Sequence, residues 1–192
     1  MAQTCPSVRV TRQSGVTATP VSPRYALRLL VAAGLGVYGF ARLRNAEYWD
    51  LLDDANLAIH EAGHVFFQPL GDPLVVLGGS LLQVVVPLAF VTYFLVRRDW
   101  FASSVVSAWL GASLGNLALY IGDARAQELP LLGGENAIHD WWYLLIEWDL
   151  LPHDLVIARW VRMAGALAFV IAVTGAVLFA KAPDRSPELS PS

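Results

Sequence analysis

Apolar residues run through this chain in long blocks broken by short clusters of charge, a pattern that predicts helices rather than strands. Residues 73–96, 100–122 and 163–180 contain no Asp, Glu, Lys or Arg. About 20 such residues form a helix long enough to span the hydrocarbon core of a bilayer, so each block predicts a membrane span. With turn residues and flanking charges as boundaries, the candidate segments are 25–41, 55–70, 74–96, 101–121 and 160–180. A Trp-rich stretch at 137–151 is short for a span and reads as half-buried or interfacial. The expected fold is all-α, a polytopic membrane helix bundle of five or six apolar segments. Gly34, Gly36 and Gly39 in the first segment, and Gly111 and Gly115 in the fourth, are spaced to let another helix approach closely.

Outside these segments the composition changes. Residues 1–23 are rich in Ser, Thr, Pro and Gln and contain no acid, and 181–192 is again polar and proline-rich. Neither stretch can build a core, so both are expected to be disordered tails around one membrane domain at 24–180. Of the 192 residues 56% are hydrophobic and only 15% charged, whereas a soluble domain carries about a quarter charged residues. This argues against an ordinary cytoplasmic enzyme. A net charge of −3, from 13 basic and 16 acidic residues, argues against a nucleic-acid partner. The lone Cys5 can form neither an internal disulfide nor a structural zinc knuckle. The surroundings expected are a lipid bilayer, that of the plasma membrane, and Arg42, Arg44, Arg97 and Arg98 are expected to share one side of it. Oligomeric state is not encoded in any of these features.

Chemistry concentrates in the second segment, which reads His60-Glu61-Ala62-Gly63-His64. On a helix, side chains four residues apart leave from one face a turn apart, which is the spacing for two neutral imidazoles to bind one Zn2+. Glu61 is rotated by about 100° from His60, close enough to face a metal-bound water without ligating the metal. Such a carboxylate can take a proton from the water and return it to a leaving nitrogen. Three ionisable groups in five residues of an apolar helix are costly unless they bind a metal or one another. Asn56, one turn before His60, either orients an imidazole or begins the helix.

A zinc ion that keeps one position for water needs a third protein ligand. The long metzincin form is excluded, because Phe67 and Leu70 stand where it needs Gly and His, and no Glu occurs between 61 and 128. The remaining donors are Asp123, Glu128, Glu135, His139, Asp140, Glu147 and His153. His139 is a strong candidate, with Asp140 then free to accept a hydrogen bond from a ligand; equally, His139 can lie in the cap region of a helix begun by Asn136. Asp123, next to Gly122 and near Arg125, suits an ordinary turn. Gln83 and Pro87 either line a water path or pair with a neighbouring helix, and Asn116 either holds a substrate backbone or bonds between helices. Trp141, Trp142 and Trp148 read as an interface anchor.

HExGH in an apolar helix resembles the site-2-type integral-membrane zinc metalloproteases, which cut substrates within or beside the membrane. In that family a later Asp, following an Asn and a Leu-Pro stretch, completes the metal site. Here Asn116-Leu117 and Leu129-Pro130-Leu131-Leu132 precede Asp140, so the resemblance implies Asp140 as third ligand. The family's Leu-Asp-Gly is replaced by Ile138-His139-Asp140-Trp141, and the resemblance covers residues 55–146. It implies a zinc metallopeptidase hydrolysing a peptide bond of a membrane protein or peptide substrate, with His60, His64 and Asp140 (or His139) on the metal and Glu61 as general base. The alternative is a non-catalytic membrane protein with a structural or ion-handling histidine and zinc site.

Overall fold

The computed structural model describes residues 22–45, 47–132 and 138–181. Most of both expected tails, Cys5, Glu135 and Asn136 lie outside the described residues. Among the described residues six α-helices follow in order: α1 (Pro23–Arg44), α2 (Leu51–Phe67), α3 (Leu74–Val96), α4 (Trp100–Gly122), α5 (Asp140–Glu147) and α6 (Asp154–Leu178). No strand occurs among the described residues, so the protein is all-α. The helix starts follow from local chemistry. Ser22 accepts the Tyr25 N–H ahead of Pro23, and Asp99 accepts that of Ala102. Asp50 and Asp53 form a reciprocal capping box. That box starts α2 four residues earlier than the apolar pattern alone indicates.

α1, α3, α4 and α6 are each long and apolar enough to cross a membrane. They mark the chain as a membrane protein. α4 and α6 form the most extensive pair. They run antiparallel, with Trp100 stacked on Phe179 at one end and Gly122 beside Ala158 at the other. Between these points a Cβ on Gly111 or Gly165 would stand 3.0 Å from the other's carbonyl oxygen. Small residues are thus what let the two backbones meet. Ala108, Ala112, Phe169 and Ala172 fill this seam, and α1 closes over it with Leu35 and Tyr38. Of the expected approach points in α1, Gly39 faces the Phe169 ring, while Gly34 has open space around it.

The direction of the helices departs from the expected topology. Arg28 lies over Phe101 and donates to Ala180 O, so the N-terminus of α1 sits with the start of α4 and the end of α6. α3 runs antiparallel to α4, with Ser103 Oγ donating to Val91 O and Ser113 Oγ to Gln83 O. Arg97 and Arg98 therefore share an end with Arg28, and Arg42 and Arg44 lie toward the opposite one. The expectation that all four arginines share a side is corrected.

The cause is α2. At 17 residues it is about 25 Å long, shorter than a hydrocarbon core, and it runs in the same sense as α1. Its first turn is fixed by a buried ion pair, in which both Arg42 guanidinium nitrogens donate to the Asp53 carboxylate. Arg42 also donates to Tyr48 O. Hence the chain doubles back after α1, and α2 begins partway along the bundle.

Candidate metal centre

α2 and α3 pack with backbone against backbone. A Cβ on Gly63 would lie 2.3 Å from Gly78 O, so the glycine of HExGH is what admits α3. This approach carries His60 and His64 to α3, where each Nδ1 finds an acceptor. His64 Nδ1 donates to Val75 O at 2.9 Å, and His60 Nδ1 donates to Gln83 Oε1 at 3.2 Å. A carbonyl only accepts, so His64 must carry its proton on Nδ1. Gln83 presents oxygen to His60 because its own amide N–H donates to Asn116 Oδ1 at 2.9 Å. In the neutral rings both Nε2 atoms consequently bear lone pairs.

Those lone pairs converge on a third oxygen. His60 Nε2 is 2.9 Å and His64 Nε2 3.3 Å from Asp140 Oδ2. The ligand atoms of these three residues all lie within 4.8 Å of one another. Ligands about 2.0–2.1 Å from a tetrahedral zinc are about 3.3 Å apart, so the His64–Asp140 distance is that of an edge of such a shell and the His60–Asp140 distance is shorter. Two imidazoles and a carboxylate brought together in this way are able to hold a metal ion. Burial pushes the Asp140 carboxyl up, but the two imidazoles beside it, His60 and His64, hold it below its ordinary range.

The floor of this cluster is Gly79. A Cβ there would stand 2.6 Å from His64 Nε2 and 2.7 Å from His60 Nε2. The space between the two nitrogens thus exists only because residue 79 has no side chain. If the group holds zinc, Gly79→Ala is expected to fill this space and abolish metal binding. Ala is the better helix former by about 1 kcal/mol, so α3 itself survives. Metal content measured beside thermal unfolding checks this; full zinc occupancy in a folded Gly79→Ala protein would place the ion elsewhere.

Asp140 reaches the cluster as the first residue of α5. Its backbone N–H donates to Tyr120 Oη at 3.1 Å, and Trp141 Nε1 donates to Ser80 Oγ at 3.0 Å, docking α5 on α3. Trp141 is therefore a tether inside the protein rather than an interface anchor. Leu144 and Leu145 bury the far side of this short helix. The Tyr120 ring meets His60 edge-on and stacks on His139 with centroids 4.2 Å apart.

The other expected donors are not brought to this group. His139 is the N-cap of α5, its Nδ1 accepting the Trp142 N–H at 3.2 Å while Nε2 faces Asp123 Oδ2 at 3.4 Å. Burial pushes its pKa below the ordinary value, consistent with a neutral ring that accepts at Nδ1. So His139 belongs to the loop and not to the ligand set. Asp123 accepts the N–H groups of Glu128 and Leu129, which shapes that same loop. Glu128, Glu147 and His153 are exposed. Asn56 is buried and accepts the Trp109 Nε1–H at 2.8 Å, a bond between helices rather than a prop for an imidazole. Gln83 takes one of its expected roles, pairing with α4, and also orients His60, a role the sequence did not suggest.

The cluster opens into a cavity of about 650 Å³. Glu61 lines it beside the two histidines, and its walls include Leu57, Leu119, Leu131 and Ile138. Tyr120, Gly79 and the Trp141–Ser80 contact were not singled out by the sequence. The Gly78-Gly79 pair inside a charge-free segment was the available signal for one of them. Comparison with protein-family models, with curated proteins and with solved structures gives no match to this chain.

Proposed function

We propose that the chain is a membrane-embedded zinc metallopeptidase of the site-2 type, hydrolysing a peptide bond in or near the membrane. The observation that carries this reading is the convergence of His60 Nε2, His64 Nε2 and Asp140 Oδ2 beside Glu61 in one cavity. Two imidazoles and one carboxylate fit a catalytic zinc, which leaves a coordination position for water, better than a closed structural site. A zinc ion held there would supply Lewis acidity and an acidified water.

The remaining steps belong to the chain's own residues. Val75 O and Gln83 fix the imidazoles in the tautomer that presents Nε2, and Asn116 in turn fixes Gln83. Glu61, which stays off the ligand set, takes the proton from the attacking water and hands it to the amide nitrogen as the peptide bond breaks. Apolar walls admit a hydrophobic peptide and limit bulk water around the carboxylate. The substrate is accordingly a membrane protein or a membrane-associated peptide, and the plasma membrane is the proposed location.

The test is hydrolysis of quenched fluorescent apolar peptides by the purified chain in detergent or in vesicles. Chelation by 1,10-phenanthroline should abolish cleavage, and added Zn2+ should restore it. Cleavage that persists after complete removal of the metal would overturn the proposal.

A further inference from the structure

The cavity has a second chemical feature at some remove from the metal ligands. Its lining includes Glu47 and Trp49, both from the linker between α1 and α2. The Trp49 ring is half-exposed and held in place by its Nε1–H, which donates to Asp54 Oδ1 at 2.8 Å. Among the described residues the Glu47 carboxylate has no cationic partner. The nearby arginines are committed elsewhere, Arg42 to Asp53 and Arg44 over the Phe40 ring. No Lys or Arg lines the cavity among the described residues, and its other carboxylates are Asp140 and Glu61. In the proposed metal site Asp140 is a ligand and Glu61 acts on the water. Glu47 is thus the one lining carboxylate without a task.

An oriented aromatic face and a carboxylate together recognise a cation, by cation–π attraction and ion pairing. Apolar segments of membrane proteins end in Lys or Arg at their flanks. A segment of that kind would match both parts of the cavity. Its apolar residues suit Leu57, Leu119, Leu131 and Ile138, and its flanking cation suits the linker. Anionic headgroups, by contrast, meet carboxylates and no basic side chain.

We propose that Glu47 and Trp49 form a cation subsite, so that the substrate is an apolar peptide segment bearing a Lys or Arg beside the stretch that is cut. The proposal rests on the reading of this cavity as a peptide site, and its test separates the two. Three fluorescein-labelled apolar peptides of Leu, Ala and Val are used, ending in one Lys, one Gln or one Glu. Binding is measured by anisotropy to the zinc-loaded Glu61→Gln chain, which needs no turnover, and cleavage is measured with the wild type.

The Lys peptide is expected to bind about five- to tenfold more tightly than the Gln peptide, and the Glu peptide more weakly than either. Glu47→Gln should bring the Lys-to-Gln ratio close to one, and Glu47→Lys should reverse the order in favour of the Glu peptide. Trp49→Leu should lower the Lys preference about threefold while leaving the Gln peptide's Kd within twofold. Equal binding of the Lys and Gln peptides, or a Lys preference that survives in Glu47→Gln, would overturn the inference. A Lys preference in binding with no cleavage of any peptide would uphold the subsite and defeat the peptidase.

Discussion

Glu61→Gln is expected to keep one zinc per chain and to lose peptide hydrolysis by about a hundred- to ten-thousandfold, the range for removing a general base. The substitution preserves size and hydrogen-bonding capacity, and Glu61 is not a member of the His60, His64 and Asp140 group. Exposed within the cavity, it supports no part of the packing between α2 and α3, which rests on Gly63 and Gly78. Stability and metal content should therefore be those of the wild type. Zinc analysis, thermal unfolding and single-turnover cleavage on the same preparation check the three statements together. If the variant cleaves at the wild-type rate, the histidine pair serves a structural or ion-handling site and the peptidase falls.

The second large effect distinguishes neighbours in the sequence. Asp140→Ala is expected to weaken zinc binding by more than about 100-fold, because losing an outer partner of a ligand already costs 10- to 100-fold. His139→Asn, which keeps a side chain able to cap α5, should hold its zinc within severalfold of the wild type. Competition with a chromophoric chelator gives both affinities. A wild-type affinity in Asp140→Ala together with metal loss in His139→Asn would reverse the assignment.

That pair shows where sequence reasoning ends. HExGH was legible because helical spacing alone puts His60 and His64 on one face. Choosing between His139 and Asp140 was not possible from ligand chemistry, since both are good zinc donors. The choice is made by cap geometry: residue 139 turns its ring back onto the Trp142 N–H, and the next residue, about 100° further round, points to the histidines. Asp140 was reached in advance only through resemblance to a family.

Gly79 was illegible for a different reason. Glycine is common in membrane helices, and the Gly78-Gly79 pair does not by itself show that one member faces two imidazoles from another helix. The sense of α2 was hidden as well, because it depends on Arg42 pairing with Asp53 across a reversal of the chain. Counting apolar segments treats each as a full crossing, and a short helix anchored at a buried ion pair breaks that count. The four long helices, by contrast, were evident from runs without charge, since length and hydropathy are local properties of the chain.

His60, His64 and Asp140 are proposed to hold one zinc ion, and X-ray absorption at the zinc edge of the purified chain checks this. The result expected is one zinc per chain, with two imidazole nitrogens and oxygen ligands at about 2.0–2.2 Å, and loss of an oxygen ligand in Asp140→Ala. A chain that retains no zinc after growth and purification in its presence, or one whose zinc spectrum is unchanged in His60→Ala, would contradict it.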